Sequence, residues 1–253
     1  MSARVAVLIF PGTNSEEETL RILRDVGAQA DLVHWSRGDT LPQYDAYVLP
    51  GGFAYEDRIR AGAIPAHDRM MDHVIDGASR GKLVLGICNG AQILLEAGLV
   101  PGTGPARKPT AAFTHNVQRH FICRHVHVKL TIDPSRSPFT AAHAHDALIP
   151  AWAAHGQGRL AADPAELEAI AKGGHIAFVY ANADGSTQGA TPNGSALGCA
   201  ALLNREGNVL AIMPHPERDA HNFNHPQRRQ GNILAPSGGA AFFRGFADAL
   251  NAG

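Results

Sequence analysis

Lys82-Leu83-Val84-Leu85-Gly86-Ile87-Cys88-Asn89-Gly90-Ala91 is the stretch that decides the fold. The run up to Ile87 is apolar and short, as expected of a strand buried on both faces in a parallel sheet. From Asn89 to Ala97 the pattern is helical, and Gly98 ends it. Cys88 therefore falls where a buried strand turns into a helix. Gly86 and Gly90 flank it and leave room for a sharp reversal, the device of the G-x-S-x-G elbow with sulfur in place of oxygen. A thiolate at such a junction gains from the helix dipole and lies beside free backbone N–H groups. On the turn alone, a catalytic cysteine and a cysteine packed as a small hydrophobe both remain open.

Outward from this elbow the first hundred residues alternate strand and helix. Apolar runs at 4–10, 30–35 and 44–49 read as strands, the first ending at Pro11-Gly12 and the third at Pro50-Gly51-Gly52. A helix is expected after Thr13, Asn14 or Ser15 as N-cap, with Glu16, Glu17 and Glu18 in its first turn and its apolar positions carried over 19–26. A second helix is expected over 65–80, its apolar stripe formed by Met70, Met71, Val74 and Ile75. This order implies an open, mostly parallel α/β sheet with helices on both faces. The middle differs: 121–130 alternates in part and predicts a half-wet antiparallel strand, so the sheet should carry an antiparallel extension. A helix near 163–171, strands at 175–180 and 208–213, and a last helix over 239–250 complete the reading. No repeat and no linker longer than a loop interrupts 1–253, which reads as one domain.

Two further segments carry chemistry. In Met213-Pro214-His215-Pro216-Glu217-Arg218 each proline biases the residue before it to extended backbone. Residues two apart in extended chain face the same way, so the pattern aligns His215 with Glu217. A carboxylate fixes an imidazole's tautomer, and an imidazole is the base a cysteine nucleophile requires. A plain loop ion pair with Arg218 is the other reading of this segment. At Pro50-Gly51-Gly52 the C-terminal end of a parallel strand meets the sheet edge that carries Cys88. Backbone N–H groups of these glycines, with that of Asn89, could stabilise an oxyanion, or the segment could be an ordinary turn.

Composition narrows the classes. Lys+Arg number 22 against Asp+Glu 23, a net charge of −1, which gives no support for a nucleic-acid binder. Arg107, Lys108, Arg119, Arg124 and Lys129 make the middle locally basic, but without regular aromatic interleaving. No stretch approaches the roughly 18 apolar residues of a membrane span. The first apolar run reads as a strand, and a cytoplasmic setting is expected. Three cysteines without C-x-x-C spacing argue against a disulfide framework, so Cys123 and Cys199 are expected to be buried packing residues. His125/His127 and His143/His145 offer two ligands each, but no third follows at diagnostic spacing, and no metal site is expected. No G-x-x-x-x-G-K-[ST] is present, and Gly102-Thr103-Gly104 lacks the rest of a dinucleotide fingerprint.

Taken in order, these segments resemble the class I glutamine amidotransferases, whose fold is flavodoxin-like. The resemblance is closer to the glutaminase subunits of phosphoribosylformylglycinamidine synthase. It is carried by Pro11-Gly12-Thr13-Asn14, Pro50-Gly51-Gly52-Phe53-Ala54-Tyr55, Arg60-Ala61-Gly62-Ala63, Gly86-Ile87-Cys88-Asn89-Gly90, Asn116, His155-Gly156-Gln157-Gly158-Arg159, Pro192-Asn193-Gly194-Ser195 and Pro214-His215-Pro216-Glu217-Arg218. The resemblance implies Cys88 as nucleophile, His215 as base and then acid, and Glu217 as its orienter. It implies oxyanion N–H groups from Gly52 and Asn89, and a glutamine pocket beside Gly51 and Gln92. It further implies a synthetase partner, with or without a third small subunit, that holds ATP and Mg; this chain would carry no cofactor. Loops 53–63 and 155–159, with Arg60, His155 and Arg159, would border the nucleophile and respond to that partner. The chain departs from the family pattern at Ala54 (usually Ser), Glu56 (usually Gly) and Gln157 (usually Glu), and 220–239 is longer than the usual tail. A glutaminase serving another synthetase and a stand-alone cysteine hydrolase are the competing readings.

Overall fold

The computed structural model describes residues 3–105, 107–227 and 232–252. In chain order the first half runs β1 (Arg4–Ile9), α1 (Glu16–Asp25), β2 (Gln29–His34), β3 (Ala46–Leu49), α2 (Arg69–Ser79), β4 (Leu83–Ile87), α3 (Asn89–Glu96) and β5 (Ala111–Thr114). The second half runs β6 (Ile122–Leu130), β7 (Leu148–His155), β8 (Arg159–Ala162), α4 (Pro164–Lys172), β9 (Ile176–Ala181), β10 (Cys199–Leu203), β11 (Val209–Ile212) and α5 (Gly239–Ala252).

Nine strands form one sheet in the order β2-β1-β3-β4-β11-β10-β9-β6-β7. The first five are mutually parallel; the apolar runs of β1, β3, β4 and β11 are buried on both faces, as the sequence implies, whereas β2 is a partly exposed edge. The antiparallel extension follows, each of β10, β9, β6 and β7 opposing its neighbour. Because sense alternates there, β9 and β7 point the same way as the parallel five, so most C-terminal strand ends gather on one side. The sheet curls far enough that Trp152 of β7 exchanges both backbone hydrogen bonds with His215, at 3.1 and 2.8 Å. That curl brings the far end of the sheet back over the segment that follows β11.

Local chemistry explains where the elements start. Asp68 caps α2, its Oδ1 accepting from the Met70 N–H at 2.8 Å, so the helix begins at Arg69 and Pro65–His67 is a separate 3-10 turn. Ser15 precedes α1 but makes no side-chain cap; its Oγ accepts instead from the Arg218 guanidinium at 2.7 Å. The acidic first turn of α1 is present as expected, and Arg218 also reaches Glu18. On α5, Phe242, Phe243 and Phe246 are fully buried, and Phe246 stacks on Phe139 at 5.5 Å.

Four strands are absent from the sequence reading. Pro150 interrupts the pattern of β7, where proline is tolerated because this is an edge strand. Cys199-Ala-Ala-Leu-Leu, β10, has no β-branched residue and becomes a strand only by complete burial between β11 and β9. β5 and β8 are four residues each and pair only with one another. One burial expectation is corrected: Cys199 is buried, but Cys123 is exposed on the water side of the expected half-wet strand β6. The sequence reads His221, His225, Arg228 and Arg229 as a basic, solvated loop; Arg228 and Arg229 lie outside the described residues.

The elbow allows a sharp test of this packing. A Cβ on Gly90 would sit 1.9 Å from the Leu49 carbonyl oxygen, inside backbone that cannot rotate away. Gly90→Ala should therefore destabilise the fold by about 3 kcal/mol or more, or prevent soluble accumulation. Urea denaturation against Gly27→Ala, whose Cβ meets nothing within 4 Å, separates crowding from left-handed backbone strain.

Candidate active site

Cys88 occupies the reversal between β4 and α3 with φ 51° and ψ −105°, a conformation that L-residues adopt only under constraint. The constraint is close packing: a Cβ on Gly86 would lie 2.6 Å from the Gly90 carbonyl oxygen. Cys88 N–H continues the sheet by donating to Ile212 O at 2.8 Å, and its thiol points toward Ala154 O at 3.8 Å. The side chain lines a cavity of about 270 Å³ together with Gly52, Asp57, Gln92, His155 and His215.

His215 is buried and its Nδ1 lies 2.5 Å from Glu217 Oε1. The pairing expected from their spacing is present, but the backbone reaches it differently. Pro216 is helical (φ −69°, ψ −27°) and Glu217 opens a 3-10 turn, so the carboxylate swings back to the ring instead of lying along extended chain. Arg218 turns away from Glu217 to Ser15 and Glu18, which disposes of the plain loop ion pair. Burial by itself would lower the His215 pKa. The Glu217 charge, and hydrogen bonding and charge from Cys88, outweigh it and push the ring up to about 9.

The backbone N–H groups of Gly52 and Asn89 donate to no acceptor among the described residues, whereas those of Phe53 and Gly90 are taken by Gly12 O and Pro50 O. Gly51 has to be small: a Cβ there would lie 2.6 Å from the His215 ring. The Asn89 side chain accepts from Ala54 N–H at 2.9 Å and donates to Asp57 and Gln92, tying the helix start to the 53–57 loop. Gln92 in turn donates to Gln157 O at 2.5 Å. Tyr55, Glu56 and Asp57 all have positive φ, so Glu56 stands at a position whose backbone suits glycine.

The three residues grouped as loop or partner contacts separate. Arg159 is half-buried and donates to His115 O at 2.9 Å. Arg60 is half-exposed, but its guanidinium grips the buried carboxylate of Glu96 at 2.6 and 2.5 Å. His155 lies on the nucleophile side of its loop: it is only 3% exposed and lines the cavity. Asn116 holds it there, lying 3.2 Å from Nδ1 and donating to His155 O at 2.8 Å. Burial, and then the neighbouring His215, lower the His155 pKa to about 4. Sequence reasoning missed Asp57 in the cavity wall. Its carboxyl is raised by burial against the Asn89 hydrogen bond, and an Glu-Asp doublet in a loop gives no spacing to detect.

A buried thiol on a strained elbow, an imidazole backed by a carboxylate and two free N–H groups form a site for acyl transfer. The chain belongs to the CobB/CobQ-like glutamine amidotransferase domain family, whose model matches residues 2–247. Its curated relatives narrow this to one kind of subunit. It is 44% identical over 217 residues to phosphoribosylformylglycinamidine synthase subunit PurQ of Symbiobacterium thermophilum, covering 85% of this chain and 87% of that one. The PurQ subunit of Bradyrhizobium diazoefficiens is 37% identical over 249 residues, 98% of each chain. Among solved structures, PurLQS from Thermotoga maritima contains a chain that matches with a TM-score of 0.77 at 29% identity, covering 98% of this chain and 99% of that one.

Two outcomes follow from the geometry. Iodoacetamide should label exposed Cys123 and leave Cys199 unmodified in the native protein, whereas a chloroketone analogue of glutamine should label Cys88 selectively. Peptide mass spectrometry reads both patterns, and equal labelling of Cys88 and Cys199 would refute the site. The His215 ring is raised in the fold, so its contribution to stability is complete below about pH 6.5 and disappears as pH rises through about 9. Urea titrations across that window should show the loss, and Glu217→Gln should shrink it.

Proposed function

We propose that this chain is the glutaminase subunit of phosphoribosylformylglycinamidine synthase, releasing ammonia from L-glutamine for a separate synthetase subunit. The observation that carries the reading is Cys88, held at φ 51° on the elbow in one cavity with His215, itself paired to Glu217. The Cys88 thiolate attacks the side-chain amide carbon, and the oxyanion is received by the N–H groups of Gly52 and Asn89. Protonated His215 gives its proton to the departing ammonia. The same ring then takes a proton from water, which attacks the γ-glutamyl thioester, releasing glutamate and restoring the thiolate beside protonated His215. Glu217 keeps the ring oriented and stabilises its charge. Asp57 and Arg218, of opposite charge on the cavity wall, suit the ammonium and carboxylate of an amino acid.

Ammonia would be consumed on the partner, where ATP drives replacement of the amide oxygen of formylglycinamide ribonucleotide. ATP and Mg belong to that subunit in this reading. The PurLQS likeness supports such an assembly, and a cytoplasmic setting accords with it. No helix among the described residues is long and apolar enough to cross a membrane.

His215→Ala should slow glutamine hydrolysis by about 10²–10⁴-fold, and Glu217→Gln by less. Cys88→Ala should abolish glutamine use while the reconstituted complex still accepts free ammonia. Glutamate release from the isolated chain should be weak and rise at least about tenfold with the synthetase subunit and its substrates. Full activity without a partner, with no complex seen by light scattering, would favour a stand-alone cysteine hydrolase.

A further inference from the structure

The fold assembles a ligand set that the sequence spacing does not reveal. His125 on β6, Asp219 at the end of the 3-10 turn begun by Glu217, and His225 in the following segment each offer one donor atom, all within 4.8 Å of one another. His125 Nε2 and Asp219 Oδ2 are 2.6 Å apart, and Asp219 is fully buried. The other oxygen, Asp219 Oδ1, accepts from Ser237 Oγ at 2.7 Å, which fixes the carboxylate as an outer partner fixes a metal ligand. The rings of His125 and His225 are 5.1 Å apart, and Trp152 packs edge-on against His125 at 5.5 Å.

We propose that His125, Asp219 and His225 form a binding site for one divalent transition ion of the zinc class. Two imidazoles and one carboxylate suit Zn²⁺ or Co²⁺, whereas Mg²⁺ and Ca²⁺ demand more oxygens. An ion at about 2.0–2.1 Å from each donor requires His125 Nε2 and Asp219 Oδ2 to part from hydrogen-bond contact to roughly 3.3 Å. It also displaces the hydrogen they share. His225 gives up or reorients one contact, the Gln227 N–H on its Nδ1 at 3.1 Å. The bound ion would join β6, the turn after Glu217 and the 221–227 segment behind the His215–Glu217 pair. Its role is structural: Trp152, which packs on His125, is the residue whose backbone holds His215.

The test uses the full chain, stripped with a chelator and titrated with Co²⁺ in a Cys88→Ser background that removes the active-site thiolate as a competing ligand. One equivalent should bind per chain, with visible d–d absorption and no thiolate charge-transfer band. His125→Gln and His225→Ala should each weaken binding at least tenfold, while His67→Ala, at an exposed position away from the cluster, should leave it unchanged. Zn²⁺ should raise the melting temperature of the chelator-treated chain and not that of His225→Ala, at a half-buried position. Less than one equivalent bound, absorption indifferent to both substitutions, or a charge-transfer band removed by Cys123→Ser would each overturn the site.

Discussion

The approach of Gly90 to the carbonyl of Leu49 sets the rest of the molecule. Between β4 and α3 the chain must reverse in one residue, and it can do so only if the helix start presses directly on the neighbouring strand end. Any side chain at Gly86 or Gly90 would push α3 off the sheet. The pressed arrangement leaves Cys88 as the one residue that absorbs the turn, at positive φ. It also sets the Asn89 N–H beside the thiol and places the Asn89 side chain where it can pin the 53–57 loop. The nucleophile, one oxyanion donor and the cavity wall thus share a single packing cause.

The antiparallel half of the sheet supplies what the parallel half cannot. Parallel strands deliver Gly51, Gly52, Cys88 and the segment carrying His215 to one edge, leaving that edge open. The curl of β9, β6 and β7 closes it, since β7 brings Ala154 and His155 against Cys88 and clamps His215 through Trp152. Asn116 then locks the 155–158 loop, accepting from Gly158 N–H at 3.2 Å as well as holding His155. A site built from one sheet edge alone would leave the imidazolium in water.

How far the sequence could be read follows from the kind of signal each element carries. The parallel strands and the elbow were legible because apolar runs and flanking glycines are local; the His215–Glu217 pairing was legible from its spacing, although the backbone reaches it through a helical Pro216 and not through extended chain. β10 was not, because five residues without β-branching become a strand only through burial on both sides. β7 was hidden by Pro150, whose missing N–H matters little at an edge. Cys123 was misplaced because alternation fixes that two residues face opposite sides, but not which side faces water. The convergence of His125, Asp219 and His225 lies beyond spacing altogether, since it depends on the curl of the sheet.

Two imidazoles flank one thiol, and their partners give them opposite charge states. His215 is paired to a carboxylate, and its pKa rises to about 9; His155, beside the neutral amide of Asn116, is lowered to about 4 by burial and by His215. Burial lowers both, and the neighbouring His215 lowers His155 further, so His215 rises only because the Glu217 charge and the charge and hydrogen bond from Cys88 outweigh burial. If both rings were protonated, they would repel one another within one small cavity. If both were neutral, the departing amine would find no proton at hand. An amide at residue 116 and a carboxylate at residue 217 resolve this: the proton that ammonia needs sits on one ring only, and that ring is the one fastened to the segment following β11.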